Sequence, residues 1–176
     1  LKVTECELEG LKIIEPQVFA DDRGWFMELY RKEDYEEAGI CCEFVQDNRA
    51  YSKQGVLRGM HFQVKYPQDK LLSVLRGEIY DVAVDIRKDS KTYGKWFGIR
   101  LSDENKKQVF IPKGFAHGYL VLSKEAEILY KCSEIYHPED EGGIAWDDPK
   151  LAIQWPISVQ SELIISEKDR NWEGLL

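Results

Sequence analysis

Short extended runs separated by turn residues recur along the chain, and their spacing constrains the fold more than any other feature. The runs are Leu11–Phe19, Trp25–Tyr30, Phe44–Asn48, Val56–Val64, Leu71–Leu75, Glu78–Ile86, Trp96–Leu101, Gln108–Ile111, His117–Leu122 and Glu127–Ile135. Strands that follow one another at about 8–12 residues are typical of sandwiches and barrels. One segment, Lys32–Ala38, favours a helix that ends at Gly39. The sequence therefore predicts an all-β domain with a few short helices, around which the tail from Glu139 to Leu176 packs as loops and short helices.

The composition is that of a soluble globular domain. The 176 residues are 43% apolar and 32% charged, and a chain of about 150 residues buries roughly 68–70% of its unfolded surface. The formal net charge of -8 argues against a nucleic-acid backbone as partner, although a few local arginines could still hold a single nucleotide. No run approaches the roughly 18 apolar residues of a membrane span, and Leu1–Gly10 lacks the apolar core of a signal peptide. We therefore expect one domain that binds neither nucleic acid nor membrane.

The cysteines are Cys6, Cys41, Cys42 and Cys132, and none of them forms a C-x-x-C pair. Two are adjacent in the chain, which suits neither a disulfide framework nor a zinc site. Free thiols persist in a reducing compartment. The sequence therefore predicts ordinary thiols and, by default, a cytoplasmic location.

Alternation in the run Glu78–Ile86 separates an apolar face from a mixed one. Tyr80, Val82, Val84 and Ile86 share one face, and Ile79, Asp81, Ala83 and Asp85 share the other. The two acids either face solvent, as in an ordinary sandwich strand, or point into a polar cavity. The alternation alone favours neither interpretation.

The three histidines are candidates for acid–base chemistry, and their surroundings differ. His137 lies in a turn-like Tyr-His-Pro-Glu segment and is expected to be structural. His61 follows the pair Gly59-Met60, where a strand glycine indicates a bulge or a close backbone approach that aims a side chain. His117 ends a P-x-G-x-x-H pattern, which matches the second half of the cupin barrel signature.

The first half of the cupin signature is incomplete in this chain. It requires H-x-H with a following glutamate, whereas His61 is followed by Phe62 and Gln63. A transition metal needs three or four converging N, O or S ligands, and His61 and His117 supply two. The sequence therefore predicts a cupin-like barrel without a metal.

A collinear series of sequence blocks resembles the signature of the dTDP-4-dehydrorhamnose 3,5-epimerases. The blocks are Phe44–Asn48, Gly55–Gln63, Tyr80–Arg87, Ile111–Gly118, Leu129–Lys131, Trp146–Asp148, Ile153–Pro156 and Ser166–Asp169. The similarity runs from about Leu11 to Asp169. It implies a cupin-type jelly-roll β-barrel, a homodimer that exchanges N-terminal strands, and a dTDP-linked 4-keto-6-deoxy sugar as substrate, with no cofactor. The implied division is an N-terminal arm with dimer strands over about residues 1–50, a barrel core over 51–136 and C-terminal loops over 137–176.

The resemblance also implies catalytic roles. A ketone at C4 acidifies C3 and C5, so that epimerisation needs a base, an enolate stabiliser and an acid. His61 would be the base, and the Asp169 carboxylate would orient it through the other ring nitrogen. Lys70 would stabilise the enolate oxygen with the support of Asp81, and Tyr130 would return a proton from the opposite face. Read without the family, Asp169 is a charged tail residue, Lys70 a solvated loop lysine and Tyr130 a core aromatic.

The same resemblance implies the substrate-binding positions. They are Phe19, Arg23 and Glu28 for the nucleotide, and Gln46, Asn48, Arg58 and His117 for the diphosphate and sugar. Guanidinium groups suit phosphate because their N–H groups bind two oxygens at once. Read alone, Arg23 and Glu28 equally suit a surface ion pair. The chain departs from the family at Arg49-Ala50, where His-Ser is usual, and we expect Arg49 to be able to serve phosphate instead.

Three other functions stay open at this level. A relative that inverts one carbon of a related sugar would carry the same blocks. A 3,4-ketoisomerase fits the combined set His61, Lys70, Tyr130 and Asp169 less well. A non-catalytic cupin that binds a sugar nucleotide would bind substrate without exchanging its protons.

Overall fold

A computed structural model describes residues 1–157 and 162–175 of the chain. Its strands are β1 (Lys2–Glu5), β2 (Lys12–Glu15), β3 (Val18–Asp21), β4 (Gly24–Met27), β5 (Gln46–Lys53), β6 (Leu57–Gln63), β7 (Lys70–Arg76), β8 (Glu78–Asp85), β9 (Trp96–Ser102), β10 (Gln108–Ile111), β11 (Phe115–Val121), β12 (Glu125–Cys132) and β13 (Glu141–Gly143). Its helices are α1 (Lys32–Glu37), α2 (Glu167–Arg170) and a 3-10 turn at Pro138–Asp140. None of the helices in these residues has the length and apolar character needed to cross a membrane. The all-β prediction is confirmed.

Most of these strands form two antiparallel sheets that face each other across an apolar core. One sheet has the strand order β1-β2-β10-β7-β12-β5 and the other the order β13-β6-β11-β8-β9. Buried side chains from both sheets meet in between, among them Leu72, Val109 and Ile128 from the first and Ile79 and Leu101 from the second. The double sheet is the sandwich that the strand spacing predicts.

Strand β8 has one face in this core and the other under the C-terminal segment. Ile79 and Ala83 belong to the core between the sheets, whereas Val82 and Val84 pack against apolar residues of the C-terminal segment. Asp81 shares the inner face with Ile79 and is 1% exposed. Asp81 therefore does not face solvent, as an acid on the outer face of an ordinary sandwich strand would.

Asp85, the second acid on that face, lies at the end of β8 and binds a loop instead. Its fully buried carboxylate accepts hydrogen bonds from Arg87 Nε at 2.9 Å and from the Ser90 and Thr92 hydroxyls at 2.6 Å each. Although burial raises the pKa of Asp85, these donors together bring it well below its usual range. Asp85 therefore anchors the β8–β9 connection and does not face a cavity.

The N-terminal residues extend the first sheet and then leave it as a separate hairpin. β2 pairs with both β1 and β10, so that these strands hydrogen-bond within the chain. Pro16 separates β2 from β3, where the sequence predicted one run, because proline has no N–H for the ladder. β3 and β4 form a two-stranded sheet of their own, in which Phe19, Trp25 and Phe26 are 53%, 60% and 65% exposed. The hairpin thus leaves three aromatic side chains more than half exposed.

Helix α1 covers the outer face of the first sheet. Its Tyr35 and the following Ile40 are buried against Ile14 and Leu71 of that sheet. Gly39 ends the helix with a φ of 78°, a left-handed conformation that glycine adopts without strain. The predicted helix and its stop residue are both confirmed.

Candidate active site

A cavity of about 290 Å³ lies between the two sheets and collects most of the predicted site residues. Those that line it are Gln46, Asn48, Arg58, His61, Lys70, His117 and Tyr130. They belong to strands β5, β6, β7, β11 and β12. Because these strands come from both sheets, the relative positions of the site residues depend on how the two sheets pack against each other.

His61 and Asp169 form a hydrogen-bonded pair at the edge of the cavity. His61 Nε2 lies 2.7 Å from Asp169 Oδ1, and the Gly59 N–H donates to Oδ2 at 3.2 Å. Asp169 is 3% exposed; burial raises its pKa, but the hydrogen bonds from His61, Gly59 and Trp172 bring that pKa below the usual range. An ionised carboxylate on Nε2 leaves His61 Nδ1 as the ring nitrogen that can take a proton from a molecule in the cavity.

A bulge in β6 aims His61 into the cavity. His61 lies opposite His117, but Arg58 lies opposite Tyr119, so that β6 carries one residue more than β11 over this stretch. Gly59 has a φ of 127°, and a Cβ there would lie 2.5 Å from the Gly118 Cα. The bulge and close backbone approach predicted for Gly59 are therefore confirmed.

Asp81 holds His117 and not Lys70, which corrects the predicted pairing. His117 Nε2 lies 2.7 Å from Asp81 Oδ2, and the two side chains are 8% and 1% exposed. No ion pair joins Asp81 to Lys70 among the described residues, and the aspartate acts on the lysine only through space. The cause is position: Asp81 lies beside Tyr119 in the ladder, which places it diagonally next to His117.

All three histidines have partners. His61 and His117 each bind a carboxylate, and His137 stacks on Tyr66 with ring centroids 4.1 Å apart. In residues 1–157 and 162–175, no group of three or more His, Cys, Asp or Glu side chains is placed to hold a metal ion.

Lys70 enters the cavity from β7. It lies opposite Cys132 on β12, and no carboxylate in the described chain comes within 4.0 Å of its ammonium group. Burial lowers the pKa of Lys70, whereas Cys132, Asp81 and Glu141 act in the opposite direction. Lys70 is partly buried, and a cation in such a position without a fixed partner can interact strongly with negative charge on a bound molecule.

Tyr130 lies on β12, next to Asn48 of β5 in the ladder. Burial is the main cause that raises the pKa of Tyr130 to about 12. The phenol therefore keeps its proton at neutral pH and can donate it. The sequence alone suggested a core aromatic, and in the structure Tyr130 both packs against the core and lines the cavity.

The other cavity residues of β5 and β6 present hydrogen-bonding groups. Gln46 Nε2 donates to Asn48 Oδ1 at 2.9 Å, and Arg58 Nε donates to Ser52 Oγ at 3.1 Å. Arg49 points away from this group, because alternation puts it on the outer face of β5, where it pairs with Glu127 at 2.6 Å. The expectation that Arg49 serves phosphate is therefore wrong for this chain's own cavity.

Phe19, Arg23 and Glu28 are not among the residues that line the cavity of their own chain. Phe19 and Arg23 line a groove on the β3–β4 hairpin, where Arg23 pairs with Asp21 at 2.5 Å. Glu28 lies in a second groove at the base of the hairpin. The structure thus divides the predicted binding residues between the cavity and the hairpin.

Further polar residues line the cavity that the sequence did not single out. They are Gln63, Gln68, Tyr119, Tyr136 and Glu141. Glu141 accepts hydrogen bonds from Tyr136 at 3.1 Å and from Lys168 at 2.6 Å. Glu141 belongs to the three-residue strand β13, which is too short to show alternation, and this is why it was missed.

Comparisons with known proteins agree with this geometry. The family model for dTDP-4-dehydrorhamnose 3,5-epimerase matches residues 5–176. A dTDP-4-dehydrorhamnose 3,5-epimerase from Methanothermobacter thermautotrophicus is 58% identical over 171 residues, which are 97% of this chain and 92% of the relative.

Solved structures of related sugar-nucleotide epimerases confirm the cupin-type fold. One is a dTDP-6-deoxy-D-glucose-3,5-epimerase from Legionella pneumophila in complex with dTDP-4-keto-L-rhamnose. It superimposes with a TM-score of 0.95 at 50% sequence identity, and the match covers 99% of this chain and 92% of that protein's chain. Another is a 3'-monoepimerase from Streptomyces bikiniensis in complex with dTDP-quinovose. Its TM-score is 0.89 at 33% sequence identity, and the match covers 97% of this chain and 86% of that protein's chain. The chain belongs to the dTDP-4-dehydrorhamnose 3,5-epimerase family.

Proposed function

We propose that the protein converts dTDP-4-dehydro-6-deoxy-D-glucose to dTDP-4-dehydro-L-rhamnose by inverting C3 and C5. One observation carries the proposal: the His61–Asp169 pair, Lys70 and Tyr130 surround a single cavity. They are a base, a cation and an acid, the three groups that epimerisation beside a ketone requires. The sugar keeps its oxidation state, so the reaction needs no redox cofactor.

His61 is the base in this proposal. Its Nδ1 atom takes the proton from C3 or C5, and the electron pair of the broken C–H bond moves to the C4 oxygen. Asp169 holds Nε2 at 2.7 Å and stabilises the imidazolium that forms. A neutral imidazole can accept a proton at one ring nitrogen and later release it, which is what the base must do.

Lys70 stabilises the enolate oxygen that develops at C4. The position is partly buried, and the ammonium group has no carboxylate within 4.0 Å among the described residues. A preorganised donor of this kind typically contributes about 3–4 kcal/mol to the transition state. Lys70 thus makes the C–H bonds on both sides of the ketone easier to break.

Tyr130 is the acid that delivers a proton to the face opposite His61. Its pKa of about 12 keeps the O–H group intact at neutral pH. Return of the proton from the opposite face inverts the carbon, whereas return from His61 restores the original configuration. Inversion therefore depends on Tyr130, and proton removal does not.

Arg58, Gln46, Asn48 and His117 bind the diphosphate and sugar. They line the same cavity as the catalytic groups. Ligand pockets usually measure about 300–1,000 Å³, so a cavity of about 290 Å³ accommodates part of a sugar nucleotide. The nucleoside must extend beyond the cavity and meet other residues there.

The β3–β4 hairpin supplies those residues to a second copy of the chain in a homodimer. Phe19, Arg23 and Glu28 are absent from the cavity of their own chain. In the part of the chain that the structure describes, the hairpin forms no ladder with either large sheet, and Phe19, Trp25 and Phe26 are more than half exposed. Large exposed aromatic surfaces mark interaction sites. Exchange of the hairpins would bury these rings and place an aromatic and an arginine beside the partner's nucleotide.

We also place the enzyme in the cytoplasm. The four cysteines are free thiols in the structure, and Cys41 is exposed. Exposed thiols persist in a reducing compartment. Fractionation of the native host with an antibody against the protein tests this location.

Proton exchange in D₂O tests the reaction. The purified protein is incubated with dTDP-4-dehydro-6-deoxy-D-glucose, and the C3 and C5 protons are followed by NMR. We expect exchange at both carbons and an L-rhamno product that an NADPH-dependent reductase can trap. Exchange and inversion at one carbon would move the protein to the monoepimerases. Binding of dTDP without any exchange would leave a non-catalytic binder.

The variant His61→Ala tests the base. It should abolish exchange at both carbons and still bind dTDP as the wild type does, because His61 lies at the sugar end of the cavity. Turnover like that of the wild type would exclude His61 as the base. A matched control is His137→Ala, which removes a histidine that stacks on Tyr66 outside the cavity.

Mixed dimers test the exchange of hairpins. Arg23→Ala and His61→Ala chains are each inactive by expectation and are mixed under conditions that allow subunits to exchange. If each hairpin serves the partner's cavity, half of the sites in mixed dimers are intact, and roughly a quarter of wild-type activity returns. If the hairpin serves its own chain, the mixture is no more active than its components. Light scattering gives the oligomeric state in the same samples.

A further inference from the structure

The indole of Trp172 contacts the carboxylate that holds the base. Trp172 lies just after α2, and its Nε1–H donates to Asp169 Oδ1 at 3.4 Å. The same oxygen accepts the hydrogen bond from His61 at 2.7 Å. Asp169 Oδ2 is occupied by the Gly59 N–H. Both carboxylate oxygens are therefore held, and Trp172 shares the oxygen that serves His61.

The ring of Trp172 also covers the pair from outside. It packs on Gly143, where a Cβ would lie 2.2 Å from the indole Cε2 atom. Gly143 lies directly opposite His61 in the β13–β6 ladder. The His61 and Trp172 rings are 6.5 Å apart and nearly perpendicular, at 72°. The missing side chain at Gly143 thus makes room for a ring that shields Asp169 from water.

Two backbone hydrogen-bonding groups fix the chain on the C-terminal side of Trp172. The Ala145 N–H donates to the Glu173 carbonyl at 2.8 Å, and the Leu175 N–H donates to Asp148 Oδ2 at 2.6 Å. Asp148 is 3% exposed. On the N-terminal side, Ser166 caps α2 by accepting from the Asp169 N–H. The indole is therefore held in place from both sides.

We propose that Trp172 is a positioning residue for the reaction: it fixes the Asp169 carboxylate against His61 Nε2 and thereby keeps His61 Nδ1 aimed at the substrate. The proposal rests on the proposed function for its kinetic consequence, and on the hydrogen bond and packing for its structural one. Trp172 itself is not among the described residues that line the cavity.

Loss of the indole N–H should shift the pH dependence of the reaction in one direction. Asp169 Oδ1 would then give its full charge to His61, which favours the protonated imidazole, and a protonated base is inactive. The acid limb of the pH profile should therefore move to higher pH. The other ionisable groups that face this cavity are Lys70, His117, Glu141, Tyr130, Tyr136, Arg58 and Tyr119, and the substitution leaves all of them in place.

The test compares Trp172→Phe with Trp155→Phe. Each removes an indole N–H that donates to an oxygen and keeps an aromatic ring, but Trp155 donates to the Trp146 carbonyl, away from the cavity. For Trp172→Phe we expect the acid limb of kcat/KM to move up by about half a pH unit. kcat at pH 6 should fall several-fold while KM stays within about twofold of the wild type. Trp155→Phe should change neither.

A double substitution separates action through Asp169 from general damage. If Trp172 acts through this carboxylate, adding Trp172→Phe to Asp169→Asn should lower kcat no further, since coupled residues are not additive. An additive loss would overturn the proposal. So would a pH profile of Trp172→Phe that matches the wild type.

An NMR measurement gives a second answer that does not depend on turnover. The His61 Nε2 proton bonded to Asp169 is identified by its loss in His61→Ala. It should exchange with water at least several-fold faster in Trp172→Phe than in Trp155→Phe or the wild type. Equal rates in all three proteins would overturn the proposal even if the substrate proves to be different. Absence of epimerase activity in the wild type would instead reject the proposed function.

Discussion

His117 lies directly opposite His61 across the β6–β11 ladder, and each imidazole bonds a buried aspartate through its Nε2 atom. Asp169 reaches His61 from the C-terminal segment, whereas Asp81 reaches His117 from the neighbouring strand β8. Two carboxylate-bound histidines therefore lie side by side in one cavity. The charge on Asp81 also favours the ammonium form of Lys70, although no ion pair joins them.

Asp81→Asn should therefore act on Lys70 as well as on His117. Burial already lowers the pKa of Lys70, and loss of the nearby negative charge lowers it further. Since the ammonium form stabilises the enolate, the alkaline limb of the kcat profile should move to lower pH. We expect kcat to fall more at pH 8 than at pH 7. The measurement is a pH–rate profile of proton exchange.

The control for this prediction is His117→Asn. It removes the direct partner of Asp81 but leaves the charge near Lys70. If Asp81 matters through Lys70, the alkaline limb shifts in Asp81→Asn and stays in place in His117→Asn. A shift of equal size in both variants would assign the effect to His117.

Tyr130→Phe should separate proton exchange from inversion. His61 can still remove a proton and return deuterium from the same face, so washout at C3 and C5 continues. Inversion needs an acid on the opposite face and should fall at least about 100-fold. NMR in D₂O measures both quantities in one sample. Parallel loss of exchange and inversion would mean that Tyr130 takes part in proton removal.

Tyr119→Phe should stabilise the protein. Tyr119 is 5% exposed, and its hydroxyl lies near Ser52 and Arg58 without making a hydrogen bond of normal geometry to any described residue. A buried hydroxyl without a partner costs about 1–3 kcal/mol, so we expect the free energy of unfolding in urea to rise by about 1 kcal/mol. Tyr35→Phe is the control, because the Tyr35 hydroxyl bonds the Leu29 carbonyl and Gln108. That variant should lose stability, and an equal loss in Tyr119→Phe would reveal a partner for its hydroxyl.

Much of the sheet could be predicted from the sequence, because alternation and turn residues are local signals. The limits lie in the short strands. β1 and β13 have four and three residues, too few to show a period of two, and long-range pairing with β2 and β6 creates them. The sequence predicts one extended run through Pro16, but the missing N–H of this proline divides the run into two strands that belong to different sheets.

The site could be predicted less fully from the sequence, because its geometry depends on contacts between residues that are distant in the chain. Asp169 is 108 residues from His61, and no local pattern joins them; their pairing was implied by resemblance and is present in the structure. Alternation put Asp81 on the mixed face of its strand but could neither show that this face points inward nor identify the neighbour of Asp81. The ladder places His117 diagonally beside it, and the predicted partner Lys70 belongs to the other sheet. No sequence pattern singled out Trp172, because its packing depends on the absence of a side chain at Gly143.

Asp85→Asn should lower stability in a manner that depends on pH. The fully buried carboxylate holds Arg87 through Nε and Nη2 at 2.9 and 2.8 Å. Removing one partner of a buried ion pair costs about 3–5 kcal/mol, so we expect a loss of about 3 kcal/mol at pH 7. Asp47→Asn is the control, because Asp47 is a half-exposed carboxylate that pairs with Lys131 at the surface. It should cost less than about 1 kcal/mol.

The sign of the pH effect follows from the direction of the shift. Hydrogen bonds hold the pKa of Asp85 well below its usual range in the folded protein, whereas an unfolded aspartate titrates near about 3.9. The stabilisation is therefore complete above about pH 4 and is lost as the pH falls further towards the folded pKa. Urea unfolding should show the same difference between wild type and Asp85→Asn at pH 7 and pH 5, and a difference about 1 kcal/mol smaller at pH 3. A difference that is unchanged at pH 3 would mean that the carboxylate's charge does not contribute to holding the loop.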